Sequence, residues 1–237
     1  MRNIAAILLL ILCLMFTTAC EEKGEFQTPI PSRESKIPSN AVKMGPEDDP
    51  HPPILHAQGW EEPVPVPGPI NTAGGEDAPF ITADGESFFF FFTPDLSVPE
   101  EEQLLDGVTG IYQSQWEADT WGEPERLILN DDIALDGCPF AMGDQLWFCS
   151  LRPGSQGLQW FTAAYAGGTW KDWQEAGFDP GYEVGELHIT ADGEELYYHS
   201  DRTGSKGLND IWVSRKTSAG WGVPENVAAV KTPDNES

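Results

Sequence analysis

Ile81-Thr82-Ala83-Asp84-Gly85-Glu86 returns almost unchanged as Ile189-Thr190-Ala191-Asp192-Gly193-Glu194, 108 residues downstream. A chain that repeats itself is built from repeated supersecondary units, so the repeat bounds every other reading. The separation leaves room for a middle copy. A degraded one stands at Pro139-Phe140-Ala141-Met142-Gly143-Asp144. An aromatic run follows each copy: Phe88 to Phe92, Leu146-Trp147-Phe148 and Leu196-Tyr197-Tyr198. Two further landmarks keep the same order. Gly110-Ile111-Tyr112, Trp160-Phe161-Thr162 and Asp210-Ile211-Trp212 lie 50 residues apart. A Trp after a turn then recurs, in Trp121-Gly122-Glu123-Pro124, Trp170-Lys171-Asp172-Trp173 and Trp221-Gly222-Val223-Pro224. Trp60-Glu61-Glu62-Pro63 is an extra copy of that last landmark.

Each unit reads as four strands. The first leads into an Asp-Gly hairpin, the strongest short hairpin signal. The second is aromatic, which suits a pleated and packed surface. A Gly-rich link, Arg202-Thr203-Gly204-Ser205-Lys206-Gly207 in the last copy, leads to the third. A small-residue turn, Ser218-Ala219-Gly220, precedes the Trp and the fourth. No helical periodicity is sustained. Four-stranded units of about 40–50 residues are propeller blades.

Ile189-Thr190-Ala191-Asp192-Gly193, Ser200-Asp201-Arg202-Thr203-Gly204, Asn209-Asp210-Ile211-Trp212 and Trp221-Gly222-Val223-Pro224-Glu225-Asn226 together resemble the periplasmic WD-like β-propeller repeat. That repeat is found in the Tol-system propeller and in OmpA-linked or lipid-anchored envelope proteins. The resemblance covers roughly residues 60 to 237. It implies an all-β fold of four-stranded antiparallel blades, with Asp201, Arg202, Asp210, Trp212 and Trp221 as structural repeat positions. The first copy carries an acidic insertion around Pro99-Glu100-Glu101-Glu102. The middle copy has Leu151 in place of the Asp. Such a fold hosts many functions and selects none.

Three whole units and a partial one at Trp60 fall short of the four blades that closed propellers typically need. Either the chain is cut short, or the array stays open, or another copy completes the ring. The Trp60 strand is expected to pack beside the first or last unit. Self-association or a partner would then cover the free edge.

Met1-Arg2-Asn3, an apolar run from Ile4 to Phe16, and Thr17-Thr18-Ala19 before Cys20 have the geometry of an export signal over residues 1–19. The run is too short for a membrane span. Cys20 after small residues resembles the bacterial lipoprotein cleavage box, although Thr17 stands where that box usually has Leu. The resemblance implies that Cys20 is lipidated and anchors the chain at the cell envelope, on the periplasmic or cell-surface side. Residues 20–58 are rich in Pro, Ser and acids, and are expected to be a flexible tether. Residues 59–237 are the repeat domain. The net charge is −26, and loss of Arg2 brings it near −27. Such a surface repels nucleic acid.

Candidate chemistry is sparse. A hairpin turning at Gly143-Asp144 sets Cys138 and Cys149 directly opposite each other, and a turn one residue earlier makes them diagonal. An exported compartment permits the disulfide. Arg152 and Arg202 hold equivalent places, with Arg126 elsewhere in its unit. An arginine cluster of the sialidase kind would grip a carboxylate. An arginine that recurs with the repeat is more simply an internal tie, from Arg202 to Asp201 or Asp210. His188 matches Phe80 and Cys138, His199 matches Phe91 and Cys149, and both read as core. Asp201, Asn209 and Asp210 offer oxygens to calcium but lack EF-hand spacing. No metal, cofactor or catalytic residue is assigned. The expected function is a lipid-anchored, non-enzymatic binding or scaffold protein with an envelope protein or glycan partner. The alternative is a carbohydrate-active hydrolase, which needs two carboxylates about 5–9.5 Å apart.

Overall fold

The computed structural model describes residues 31–235 apart from 51, 53, 56, 104, 130–133, 153–156 and 180. These are all-β except for a 3-10 turn at Arg33–Ser35 and one helical turn at Glu100–Gln103. The strands form three antiparallel meanders in chain order. Sheet 1 holds β1 (Gly75–Ile81), β2 (Ser87–Thr93) and β3 (Gly110–Glu117), with a fourth strand in two pieces, β4 (Thr120–Trp121) and β5 (Glu125–Arg126). Sheet 2 holds β6 (Leu135–Met142), β7 (Gln145–Leu151), β8 (Gln159–Ala166) and β9 (Thr169–Glu175). Sheet 3 holds β10 (Val184–Ile189), β11 (Glu195–Ser200) and β12 (Asp210–Thr217), again with a split fourth strand, β13 (Gly220–Trp221) and β14 (Glu225–Asn226).

The repeat motif is a turn. Thr82 Oγ donates to Asp84 Oδ1 at 2.6 Å and accepts from the Ser87 amide at 3.0 Å. Thr190 does the same with Asp192 and Glu195. Gly85 and Gly193 take the left-handed φ of 76° and 74° that this turn needs. The split fourth strands have an equally local cause. Pro124 and Pro224 have no N–H for the ladder. Sheet 2 has no proline there, and β9 runs on with one irregularity.

Neither face of a sheet is left to water where another sheet follows. Phe89 and Ile111 of sheet 1 bury against Leu146, Phe148, Phe161 and Ala163 of sheet 2. The opposite face of sheet 2, Trp147, Cys149 and Trp160, buries against Val184, Leu196, Tyr198 and Trp212 of sheet 3. Burial on both faces explains a strand that reads Phe88 to Phe92 without alternation. The first strands are also joined by rings, with Phe80 4.6 Å from Phe140 and Phe140 5.3 Å from His188.

The outer face of sheet 1, Phe88, Phe90, Phe92 and Tyr112, has no preceding sheet. It is covered by Ile70, Val66 and Ile37. Arg33 is only 3% exposed there, with its guanidinium 5.4, 5.2 and 5.3 Å from the Phe90, Phe92 and Tyr112 rings. It donates to the carbonyls of Ile70 at 3.0 Å and Pro69 at 2.5 Å. Part of the stretch expected to be a tether is therefore docked as a cap, held by cation–π and charge-assisted contacts that composition does not reveal. At the other end, Tyr197, His199 and Ile211 of sheet 3 are half-buried and His188 is exposed. Their equivalents in sheet 2 are the buried Trp147, Cys149, Trp160 and Phe140.

The extra Trp60 strand does not form. Residues 57–67 contain no strand, and Trp60 is 76% exposed. Pro63, Pro65 and Pro67 remove every second donor, which forbids a ladder. At the far end, the Asn209 amide donates to Asn235 Oδ1 at 2.9 Å, which folds the tail onto sheet 3.

Arg33→Ala removes three ring contacts and orphans two carbonyls. It is expected to lower the unfolding free energy by about 2–3 kcal/mol. Urea denaturation reads this, and an unchanged midpoint would show that residues 33–37 do not cap sheet 1.

Candidate functional site

The three first strands carry the same defect. Their pairing slips between Asp77 and Phe80, between Gly137 and Phe140, and between Gly185 and His188. Within each bulge one non-glycine residue takes a left-handed φ: Ala78 at 48°, Cys138 at 50° and Glu186 at 41°. Such residues are uncommon and tend to gather at functional sites. Bulges re-aim side chains and recur beside active sites.

All three bulged residues line one cavity of about 450 Å³. Phe91, Leu135 and Leu158 give it apolar walls. Leu96, Val98 and Pro99 close one side, from the link that carries the acidic insertion. Gln103 fixes that link by donating to the Val98 carbonyl at 2.8 Å. Asp77 and Glu186 are the acidic groups of the lining, and among the described residues no arginine, lysine or histidine lines it. Partial desolvation pushes the Glu186 carboxyl above its ordinary value, and the Asp77 charge adds to the effect. A carboxyl pair in apolar walls can hold a cation, or keep one proton available as an acid.

Cys138 and Cys149 are joined on the rim, with Cα atoms 5.5 Å apart. The hairpin turns at Gly143-Asp144, with Met142 opposite Gln145 and Phe140 opposite Trp147. Beyond the bulge Gly137 stands opposite Cys149, so the two cysteines are not directly opposed. The opposed register assumed an unbroken ladder. A Cβ at Gly137 would lie in ordinary contact with the Phe91 ring at 3.4 Å and Cys149 Sγ at 3.6 Å, so sheets 1 and 2 pack closely there.

The other singled-out residues lie elsewhere. Arg202 pairs with Asp179, not with Asp201 or Asp210, and packs near the Tyr182 and Trp212 rings at 4.9 and 5.7 Å. The expected partners are occupied. Asp201 Oδ1 accepts the Glu183 amide at 2.9 Å. Asp210 is fully buried and accepts from the Lys206 and Gly207 amides and from Asn226. Burial pushes its carboxyl up, but these donors and Lys231 outweigh that and hold it at about 2. Arg152 lies over the Phe161 and Trp173 rings at 4.3 and 3.9 Å, and Arg126 donates to the Gly107 and Thr109 carbonyls. The three guanidiniums thus serve their own sheets. Trp212 is buried between sheets 2 and 3, with Trp221 packed at the edge of that core.

His188 aligns with Phe80 and Phe140, and Cys138 falls two residues off, because the middle hairpin has a shorter turn. His188 is exposed, contrary to a core reading. His199 is half-buried against Gly185, and desolvation lowers its pKa. Among the described residues no group of three His, Cys, Asp or Glu side chains is placed to hold a metal. Cys20 lies outside the described residues.

Asp77 and Glu186 were missed by sequence reasoning because a bulge leaves the hydrophobic pattern nearly intact. One signal existed. Pro79 and Pro139 each follow a bulged residue, and proline inside a strand marks a bulge or an edge. Compared with known proteins, the chain matches no family model and no curated sequence. No helix among the described residues is long and apolar enough to cross a membrane.

The raised Glu186 carboxyl sets a pH signature. The folded state holds its proton more tightly than the unfolded state, so stability falls as pH rises above the ordinary value of 4.5. Glu186→Gln is expected to raise the Tm at pH 7 and leave it unchanged near pH 4. An equal shift at both pH values would remove the desolvated carboxylate from the account.

Proposed function

We propose that this chain is a lipid-anchored envelope binding protein that holds a cationic, partly apolar ligand in the cavity between the bulged first strands. The observation that carries this reading is the meeting of three left-handed bulges around apolar walls with Asp77 and Glu186. Two carboxylates facing one cavity attract a cation. Apolar walls with a few placed polar groups are the usual make-up of a small-ligand site. In this reading the three sheets are propeller-type blades of an arc that does not close, resembling the periplasmic WD-like repeat. Arg33 and its neighbours take the place of a preceding blade, and the more polar face of sheet 3 is suited to a terminal unit. Cys20 carries the lipid.

A second reading has its own support. A carboxyl raised beside a second carboxylate is the arrangement of a glycosidase acid and its partner. On that reading Glu186 protonates the leaving oxygen and Asp77 serves as base or nucleophile.

Full-length chain in detergent tests both readings. Octylamine is expected to raise the Tm and octanoate is not, and the octylamine response should vanish in Asp77→Asn/Glu186→Gln. Equal responses to both probes would end the cation reading. Turnover of any chromogenic glycoside that is lost in Glu186→Gln would establish the second. Cys20→Ser is expected to move the protein from the membrane to the soluble fraction, and unchanged fractionation would contradict the anchor.

A further inference from the structure

A second concavity lies between sheets 1 and 2. It has a volume of about 550 Å³, within the range of small-ligand sites. One wall is β3, which sends Gln113, Gln115 and Glu117 into it from alternate positions. The other wall is the β8–β9 hairpin, with Tyr165, Thr169 and Trp170. The rim is the segment from Gly122 to Glu125, bowed out where Pro124 breaks the fourth strand. That bow is pinned: the Gly122 amide donates to the Gln115 carbonyl at 2.8 Å, and Ser114 Oγ donates to the Gly122 carbonyl at 2.7 Å.

The repeat supplies an internal control. The positions of Gln113, Gln115 and Glu117 correspond on β8 to Thr162, Ala164 and Ala166. Sheet 2 folds with small residues at these places, while on β12 they are Val213, Arg215 and Thr217, with Arg215 paired to Glu195 and Glu225 of its own sheet. On β3 the long polar side chains line a cavity.

They are also oriented. Trp170 Nε1 donates to Gln113 Oε1 at 3.3 Å across the floor, and Gln113 Nε2 donates to Ser87 Oγ at 3.3 Å. Ser87 Oγ donates to Gln115 Oε1 at 3.1 Å, which turns the Gln115 amide N–H groups away from Ser87. Tyr165 is 43% exposed, with its ring 5.0 Å from that of Trp170. Glu117, Glu123 and Glu125 add acceptors along the same cleft.

We propose that this cleft binds an uncharged oligosaccharide, independently of the cavity at Asp77 and Glu186. Sugar hydroxyls both donate and accept. Here they meet carboxylates that only accept, and an amide that donates. The C–H face of a pyranose ring packs on an exposed aromatic surface, which Tyr165 supplies. Three carboxylates stand against one guanidinium, that of Arg126, which donates to the Gly107 and Thr109 carbonyls, and this balance disfavours anionic glycans.

The test uses full-length chain in detergent and a panel of oligosaccharides. The panel holds uncharged members (cello-, malto- and N-acetylglucosamine oligomers), a cationic glucosamine oligomer, and an anionic uronic acid oligomer. Titration calorimetry is expected to show binding to an uncharged member that persists in high salt. Tyr165→Ala and Gln115→Ala, both at exposed positions, should each weaken it by about tenfold or more. Asp77→Asn should leave it unchanged. Binding to no member, binding to charged members only, or wild-type affinity in Tyr165→Ala would overturn the proposal. Loss of sugar binding in Asp77→Asn alone would also overturn it, by moving the site to the other cavity.

Discussion

Phe161 of β8 lies 5.7 Å from Phe148 of β7, and both press on Phe89 and Ile111 of the preceding sheet. A four-stranded meander has two faces and no covering of its own, so each sheet stays folded only by burying its aromatic face in the next. Each large side chain taken out of water contributes about 1.5–3 kcal/mol. This face-to-face dependence sets the rest of the architecture. Sheet 2 is covered on both sides and carries large apolar residues on both. Sheet 1 lacks a predecessor, and a buried arginine lying on three rings closes it from the chain's own amino-terminal side. Sheet 3 has His188, Tyr197 and His199 where sheet 2 has Phe140, Trp147 and Cys149.

The same stacking brings the three first strands together, and their bulges then acquire meaning. One bulge is a local irregularity. Three at equivalent places, each with a left-handed non-glycine residue, line a single cavity. Phe91 packs over Gly137 and the Cys138–Cys149 bond lies on the rim, so the cavity is built into the sheet packing rather than laid over it. The flank cleft arises differently, between β3 and the β8–β9 hairpin, beside the proline that interrupts the fourth strand of sheet 1. The polar groups at both places differ between copies: Glu186 where the other copies have Ala78 and Cys138, and Gln113, Gln115 and Glu117 where sheet 2 has Thr162, Ala164 and Ala166 and sheet 3 has Val213, Arg215 and Thr217.

The four-stranded units could be read from the sequence because their signals are local. Thr82-Ala83-Asp84-Gly85 and Thr190-Ala191-Asp192-Gly193 specify turns, and the proline after each terminal-copy tryptophan specifies a broken strand. Long-range features could not be read in that way. The Arg33 cap joins residues far apart in the chain and sits in a segment whose composition reads as a tether. Trp60 shares a landmark with the fourth strands but has alternate prolines and no partner. The arginine ties were expected, but the partner of Arg202 was not, because Asp179 comes from a link with no repeat signature. The carboxylate pair stayed hidden because the bulges shift register without disturbing apolar alternation.

Native-state hydrogen exchange on the full-length chain tests the central claim most directly, since it reads how well each sheet is covered. If burial by a neighbour is what holds each sheet, the slowest amides should lie in β2 and β7. Those of β11 should exchange faster, and residues 33–37 should be protected together with β2. Random-coil exchange in residues 33–37 beside a fully protected β2, or protection of β11 equal to that of β7, would contradict it.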